Sequence, residues 1–131
     1  MSPGPDPVVD AFLRGSAEEF VAQCSPDVLL DANVPTWRYQ LKGREGLAHL
    51  LAEEFVPGRA VTGWRSVPTS DGLLLEVETH APVDGEQRRW RSLYWLRGPS
   101  GAWSEVVVYC TGVWDAATIA RQAVEAPMVV T

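Results

Sequence analysis

Few side chains in this sequence are equipped for chemistry. Its 131 residues include two histidines and two cysteines (His49, His80, Cys24 and Cys110), and their spacing suits no metal site. Neither a glycine-rich nucleotide loop nor a nucleophile elbow occurs. The carboxylate that draws attention is Asp31, at the end of the apolar run Val28-Leu29-Leu30. Facing an apolar pocket, it would have its pKa raised by desolvation, as suits a general acid or base. Facing water, it would be a strand-end residue or a turn cap beside Asn33 and Pro35. Tyr39, Trp90 and Tyr94 are candidate donors to a substrate oxygen. Cys110 as a nucleophile would need a base and an electropositive setting, so a core thiol is the expectation.

The element that must position these groups is the stretch Val61–Thr111. Its β-rich runs are joined by Asp71-Gly72, Asp84-Gly85 and Pro99-Ser100-Gly101, all residues that hairpin turns favour. Taken literally, those turns pair Trp64 with Thr79, Arg65 with Glu78 and Glu78 with Arg91. They also place Trp90 opposite Cys110. Because side chains alternate, one register assigns every residue to a face. The inner face carries Thr62, Trp64, Thr79, Trp90, Ser92, Tyr94, Val108 and Cys110. The outer face carries the row Arg65–Glu78–Arg91 together with Leu74, Leu93, Trp95, Trp103 and Val107. An apolar pocket with a few polar handles is the usual make-up of a ligand site. The outer apolar patch is too large to leave wet, which predicts a homodimer through it or a covering C-terminal segment.

Composition narrows the class. The length suits one domain, 1–131, and 46% apolar residues argue for a folded chain. A net charge of −6 and a pI near 4.8 argue against nucleic-acid and anionic-membrane partners. No apolar run approaches a membrane span, and the N-terminus lacks a signal pattern. Two cysteines fit a reducing compartment, so two free thiols in a cytoplasmic protein are expected.

In chain order, a proline-rich leader, Met1 to Pro7, is expected to be mobile. A short helix follows at Val8–Leu13, and a second starts at the capping box Ser16/Glu19 and buries Phe20, Val21 and Cys24. Strands are expected at Val28–Asn33 and Trp37–Leu41, the latter with Trp37, Tyr39 and Leu41 inward. An amphipathic helix from Arg44 to about Phe55 buries Leu47, Leu50, Leu51 and Phe55. Asp115 caps a last helix through about Glu125. The layout is α+β, with helices gathered on one face of a strongly curved antiparallel sheet.

The paired N-terminal helices, Asp27-Val28-Leu29-Leu30-Asp31, Gly43-Arg44-Glu45-Gly46-Leu47 and the closing Tyr109-Cys110-Thr111-Gly112-Val113-Trp114-Asp115 carry a resemblance. Over essentially its whole length the chain resembles the nuclear-transport-factor-2-like (NTF2-like) superfamily, and within it the SnoaL-like polyketide cyclases. The resemblance implies a cone-shaped pocket and, usually, a dimer through the outer sheet face. It also implies that Asp31 stands where isomerases of the superfamily hold an aspartate base. Their enolate donors are not matched, since Phe12 and Phe20 occupy the helical region that would supply a tyrosine. Epoxide hydrolases need two acids around an arginine, whereas the inner face offers only Arg88. Dehydratases need two pocket histidines, whereas His80 points outward and His49 lies on a polar helix side.

The reading from sequence is therefore a cofactor-independent cyclase-, isomerase- or dehydratase-like enzyme acting on a hydrophobic polyketide- or terpenoid-like molecule. Asp31 would move the proton. Trp37, Tyr39, Trp64, Thr79, Trp90, Ser92, Tyr94, Val108, Cys110 and Trp114 would line the site. The rival is a non-catalytic small-molecule-binding or dimeric interaction domain of the same shape.

Overall fold

The computed structural model describes residues 6–129, so most of the expected leader lies outside the described residues. Asp6 caps helix α1 (Pro7–Arg14) by accepting from the backbone N–H of Val8, and Ser16 caps α2 (Ala17–Ala22) by accepting from Glu19. Strands β1 (Cys24–Val34) and β2 (Trp37–Lys42) lead to helix α3 (Arg44–Glu54). The long strands β3 (Ala60–Thr69), β4 (Gly72–Val83), β5 (Glu86–Arg97) and β6 (Trp103–Cys110) follow, and α4 (Ala116–Glu125) closes the order with Asp115 at its N-cap.

The six strands form one sheet in the order β2-β1-β6-β5-β4-β3. It is mixed rather than purely antiparallel, because β1 and β6 run parallel while the other neighbours are antiparallel. That pairing closes the chain's two halves against each other. Helices α1, α2 and α3 cover the concave side, and the core joins Val8, Phe12, Phe20, Leu47 and Leu51 to Leu30, Leu75, Tyr94 and Leu96. Among the described residues no helix is long and apolar enough to cross a membrane.

Two turns place the strands differently from the literal turn reading, both by two residues. Asp84 and Gly85 do hold positive φ, 53° and 76°, so the β4–β5 register pairs Glu78 with Arg91 as expected. In the preceding hairpin Ser70 and Asp71 form the turn and Gly72 belongs to the strand, which puts Trp64 opposite Val77 and Arg65 opposite Glu76. The glycine serves close approach there: a Cβ at Gly72 would meet the Leu96 carbonyl oxygen at 1.8 Å. The Pro99–Gly101 loop likewise sets Ser92, not Trp90, opposite Cys110. A shift of two keeps each side chain on its face.

Two further departures do change faces. A bulge between Val61 and Gly63 turns Val61 onto the core, while the Thr62 hydroxyl reaches Glu78 on the outer side. A register shift between β1 and β6 sets Trp103 opposite Cys24, and Trp103 is buried in the core cluster instead of belonging to the outer patch.

Phe12 packs edge-on against Phe20, Phe55 and Tyr94, with ring centroids 4.9–6.2 Å apart. Phe12→Ala should lower the unfolding free energy by about 3–5 kcal/mol in urea denaturation, the range for a fully buried phenylalanine. A loss under ~1 kcal/mol would contradict this packing.

Candidate functional site

Strands β5 and β6 present a continuous inner surface, and the sheet register builds it in rows. Leu75, Tyr94, Val108, Ala32 and Tyr39 follow one another across β4, β5, β6, β1 and β2. The next row runs through Val77, Ser92 and Cys110, and Trp90 lies one step further along β5. The last turn of α3 crosses above them. Between helix and sheet lies a cavity of about 210 Å³, walled by Tyr39, Leu50, Trp90, Tyr94 and Val108, among others. Wider depressions, of about 560 Å³ around Asp71 and Arg97 and 420 Å³ around Arg91 and Tyr109, are open surface grooves. Their charged groups are already ion-paired.

The cavity contains a carboxylate that sequence reasoning passed over. Glu54 is only 6% exposed, and both of its oxygens are held from the sheet. The Tyr94 hydroxyl donates to Oε1 at 2.9 Å, and the Trp90 indole N–H donates to Oε2. Both donors are neutral, so they orient the carboxylate without cancelling its charge. Burial, with Glu54 nearby, pushes the Tyr94 phenol well above its ordinary pKa, so Tyr94 stays a proton donor. Its ring is fixed in turn by Phe12 and Phe20. Those two phenylalanines thus do not replace a helical tyrosine; they position one that comes from the sheet. The sequence signal was present, because Glu54 continues the stripe Leu47, Leu50, Leu51 at helical spacing.

Asp31 is placed elsewhere. Its neighbours Leu30 and Ala32 point into the core, so Asp31 projects from the opposite, convex side of β1 and does not line the cavity. There Arg38 grips it with a two-pronged contact, Nε–Oδ1 at 2.9 Å and Nη2–Oδ2 at 2.6 Å. Gln40 and Asn33 donate as well, at 3.1 and 3.4 Å. The Arg38 bond, more than any other contact, holds the Asp31 carboxyl below the usual carboxylate range. A carboxylate so occupied and acidified is a poor base, and the expectation that it faces the pocket is corrected.

Of the other expected lining residues, Tyr39, Trp90, Ser92, Tyr94, Val108 and Cys110 do meet in the cavity. Trp37 and Trp64 point to the concave side, but they sit on the two edge strands and are 70% and 48% exposed. Thr79 is buried away from the cavity, and Trp114 stacks under Arg89 with 5.2 Å from guanidinium to ring centroid. Cys24 and Cys110 are both free thiols; burial pushes Cys24 up to about 12, and Cys110 accepts from the Gly112 N–H. His80 contacts Glu78 and His49 lies near Glu53 on an exposed helix face, so neither reaches the cavity. Among the described residues, no group of three or more His, Cys, Asp or Glu side chains is placed to hold a metal ion.

Solved structures with this geometry decide the fold. An NTF2-like protein from Anabaena variabilis superposes with a TM-score of 0.67 at 13% identity, covering 80% of this chain and 84% of that one. The chain has the NTF2-like fold. A candidate polyketide cyclase from Pseudomonas putida matches with a TM-score of 0.60 at 17% identity, over 88% of this chain and 92% of that one. A candidate ketosteroid isomerase from Kribbella flavida gives 0.53 at 21% identity, over 82% and 75%. No protein-family model and no curated protein sequence matches the chain. At these identities the NTF2-like fold is shared, and the chemistry has to be argued from the cavity.

A depressed Asp31 pKa has a consequence for stability. The Asp31 interactions stabilise the fold above the unfolded carboxylate value near 3.8 and are lost as pH falls through the lower folded value. In urea titrations, Asp31→Asn should therefore be less stable than wild type at neutral pH. The gap should close below about pH 4. A gap independent of pH would show that the ion pair is energetically silent.

Proposed function

We propose that this chain is a cofactor-independent, SnoaL-like enzyme that moves a proton on a small hydrophobic molecule, with Glu54 as the base. The observation that carries this reading is the Glu54 carboxylate itself. It is buried on an apolar helix stripe, near a helix C-terminus where negative charge is unfavourable, and both oxygens are aimed by neutral donors. A residue that violates two local rules of stability in a cavity is most readily explained by a function. In an apolar site a fixed carboxylate can take a proton from carbon next to a substrate carbonyl and return it at another position, as a cyclase or isomerase requires.

Trp90 and Tyr94 are engaged with Glu54, so the groups left to hold a developing oxyanion are the hydroxyls of Tyr39 and Ser92. The first is raised in pKa by burial and by Glu53, so it remains a donor. Ser92 is 4% exposed and lines the cavity. At 210 Å³ the cavity falls below the ~300–1,000 Å³ of typical ligand sites, which favours a terpenoid-sized substrate over a large polycycle.

The test follows deuterium uptake from D₂O into cyclohex-2-enone and the bicyclic 2-decalone by NMR. Wild type should accelerate exchange of at least one of them. Glu54→Gln should reduce that rate by about 10²–10⁴-fold, the usual contribution of a general base, while keeping the fold. Full activity in Glu54→Gln, or its loss in Asp31→Asn, would overturn the assignment. The rival, a binding domain, predicts ketone binding without exchange.

We also propose a homodimer through the convex sheet face, where Leu74, Leu93, Trp95 and Val107 stand beside the exposed Val67 and Tyr109. Trp103, part of the core, has no place in it. Light scattering at micromolar concentration should give twice the 14.4 kDa chain mass, and a monomeric mass would refute the interface.

A further inference from the structure

The ionisable groups of the cavity wall are one-sided. Glu53 and Glu54 contribute to it, whereas among the described residues no lysine, arginine or histidine does. Three aromatic side chains, Tyr39, Trp90 and Tyr94, share the wall with them. We infer that the substrate of this site carries a protonated amine, bound at the mouth by Glu53 against the Tyr39 ring. This rests on the reading of Glu54 as the base and adds the charge class of the molecule it acts on.

The two acids occupy different depths. Glu54 is buried and held by Trp90 and Tyr94, whereas the Glu53 side chain is 75% exposed at the rim. Tyr39 shares the wall with both, and burial together with the nearby Glu53 disfavours its ionisation. An ammonium at the mouth would meet a carboxylate on one side and an electron-rich ring on the other, the two partners such cations prefer. Its carbon body would run inward over Val108 and Trp90. The buried Ser92 hydroxyl, on the same cavity wall as Glu54, offers a hydrogen bond to a neutral polar atom.

The surrounding charges support the same sign. Arg59 feels the Glu54 carboxylate, but its guanidinium donates to the Phe12 and Leu13 carbonyls and lies over the Phe12 and Phe55 rings. It does not line the cavity. His49 stands 3.9 Å from Glu53 on the exposed side of α3 and competes only when protonated. An anionic substrate would therefore face two carboxylates with no cation to receive it, an arrangement that rejects like charge.

A matched series tests this: cyclohexylmethylammonium, cyclohexylmethanol and cyclohexanecarboxylate, titrated at pH 7.5 and followed by NMR at the Trp90 indole N–H. The ammonium should bind at least tenfold more tightly than the alcohol, and the carboxylate should not saturate. Glu53→Gln should cut the preference for the ammonium at least threefold, and 1 M salt should weaken it too. Equal affinity for ammonium and alcohol, binding of none of the three, or an unchanged preference in Glu53→Gln would overturn the amine assignment. Each of those results would leave the Glu54-dependent exchange of neutral ketones standing, so the two readings can fail separately.

Discussion

The interaction on which the proposed site depends is the grip of two sheet residues on one helix carboxylate. Taking Glu54 out of water is unfavourable unless its oxygens are hydrogen-bonded. Trp90 and Tyr94 meet that need, and they can do so only because β5 runs directly beneath the last turn of α3. The requirement propagates outward. Tyr94 must be oriented, which Phe12 and Phe20 do from the first two helices. Helix α3 must lie close to β2, and Gly46 permits it: a Cβ there would meet the Leu41 Cβ at 2.7 Å.

The same sheet separates two carboxylates by chemistry as well as by face. On the concave side Glu54 is held by two neutral donors, with no direct ion pair among the described residues. On the convex side Asp31 is locked to Arg38, Gln40 and Asn33. Its row continues through Val107, Trp95 and Leu74, and the flanking row carries Arg65, Glu76, Leu93 and Tyr109. Ion pairs of Arg65 and Arg91 with Glu76 fix cross-strand positions there. Exposed pairs of this kind contribute little each, typically under ~1 kcal/mol, so their role is in register more than in stability. Ion-paired charge thus lies on the convex side, and the proposed base on the concave side.

Much of the fold was legible because it follows from periodicity and turn chemistry. Ser16 and Asp115 cap the helices expected of them, and the alternation along β4 and β5 sorts the faces correctly. The turn at Asp71-Gly72 misled because glycine has two uses. Here it admits the Leu96 carbonyl rather than supplying positive φ, a tertiary fact that no dipeptide carries. Trp103 and Val61 changed faces through a register shift and a bulge, which alternation cannot anticipate. Asp31 was misplaced for a related reason. In a strand buried on both sides, Leu30, Asp31 and Ala32 are all shielded, so burial did not reveal which way the carboxylate turned. Glu54 was legible in principle, as the one acid on the buried stripe of α3, but only the sheet shows that Trp90 and Tyr94 await it.

The most direct test is a crystal of the protein soaked with cyclohex-2-enone. If the Glu54 cavity is the functional centre, the ring will lie over Trp90 and Val108, with its oxygen within hydrogen-bond reach of Ser92 or Tyr39. A ring carbon will then face the Glu54 carboxylate, still held by Trp90 and Tyr94. Ligand density beside Asp31 and Arg38 on the convex face, or a Glu54 side chain turned out into solvent, would contradict it.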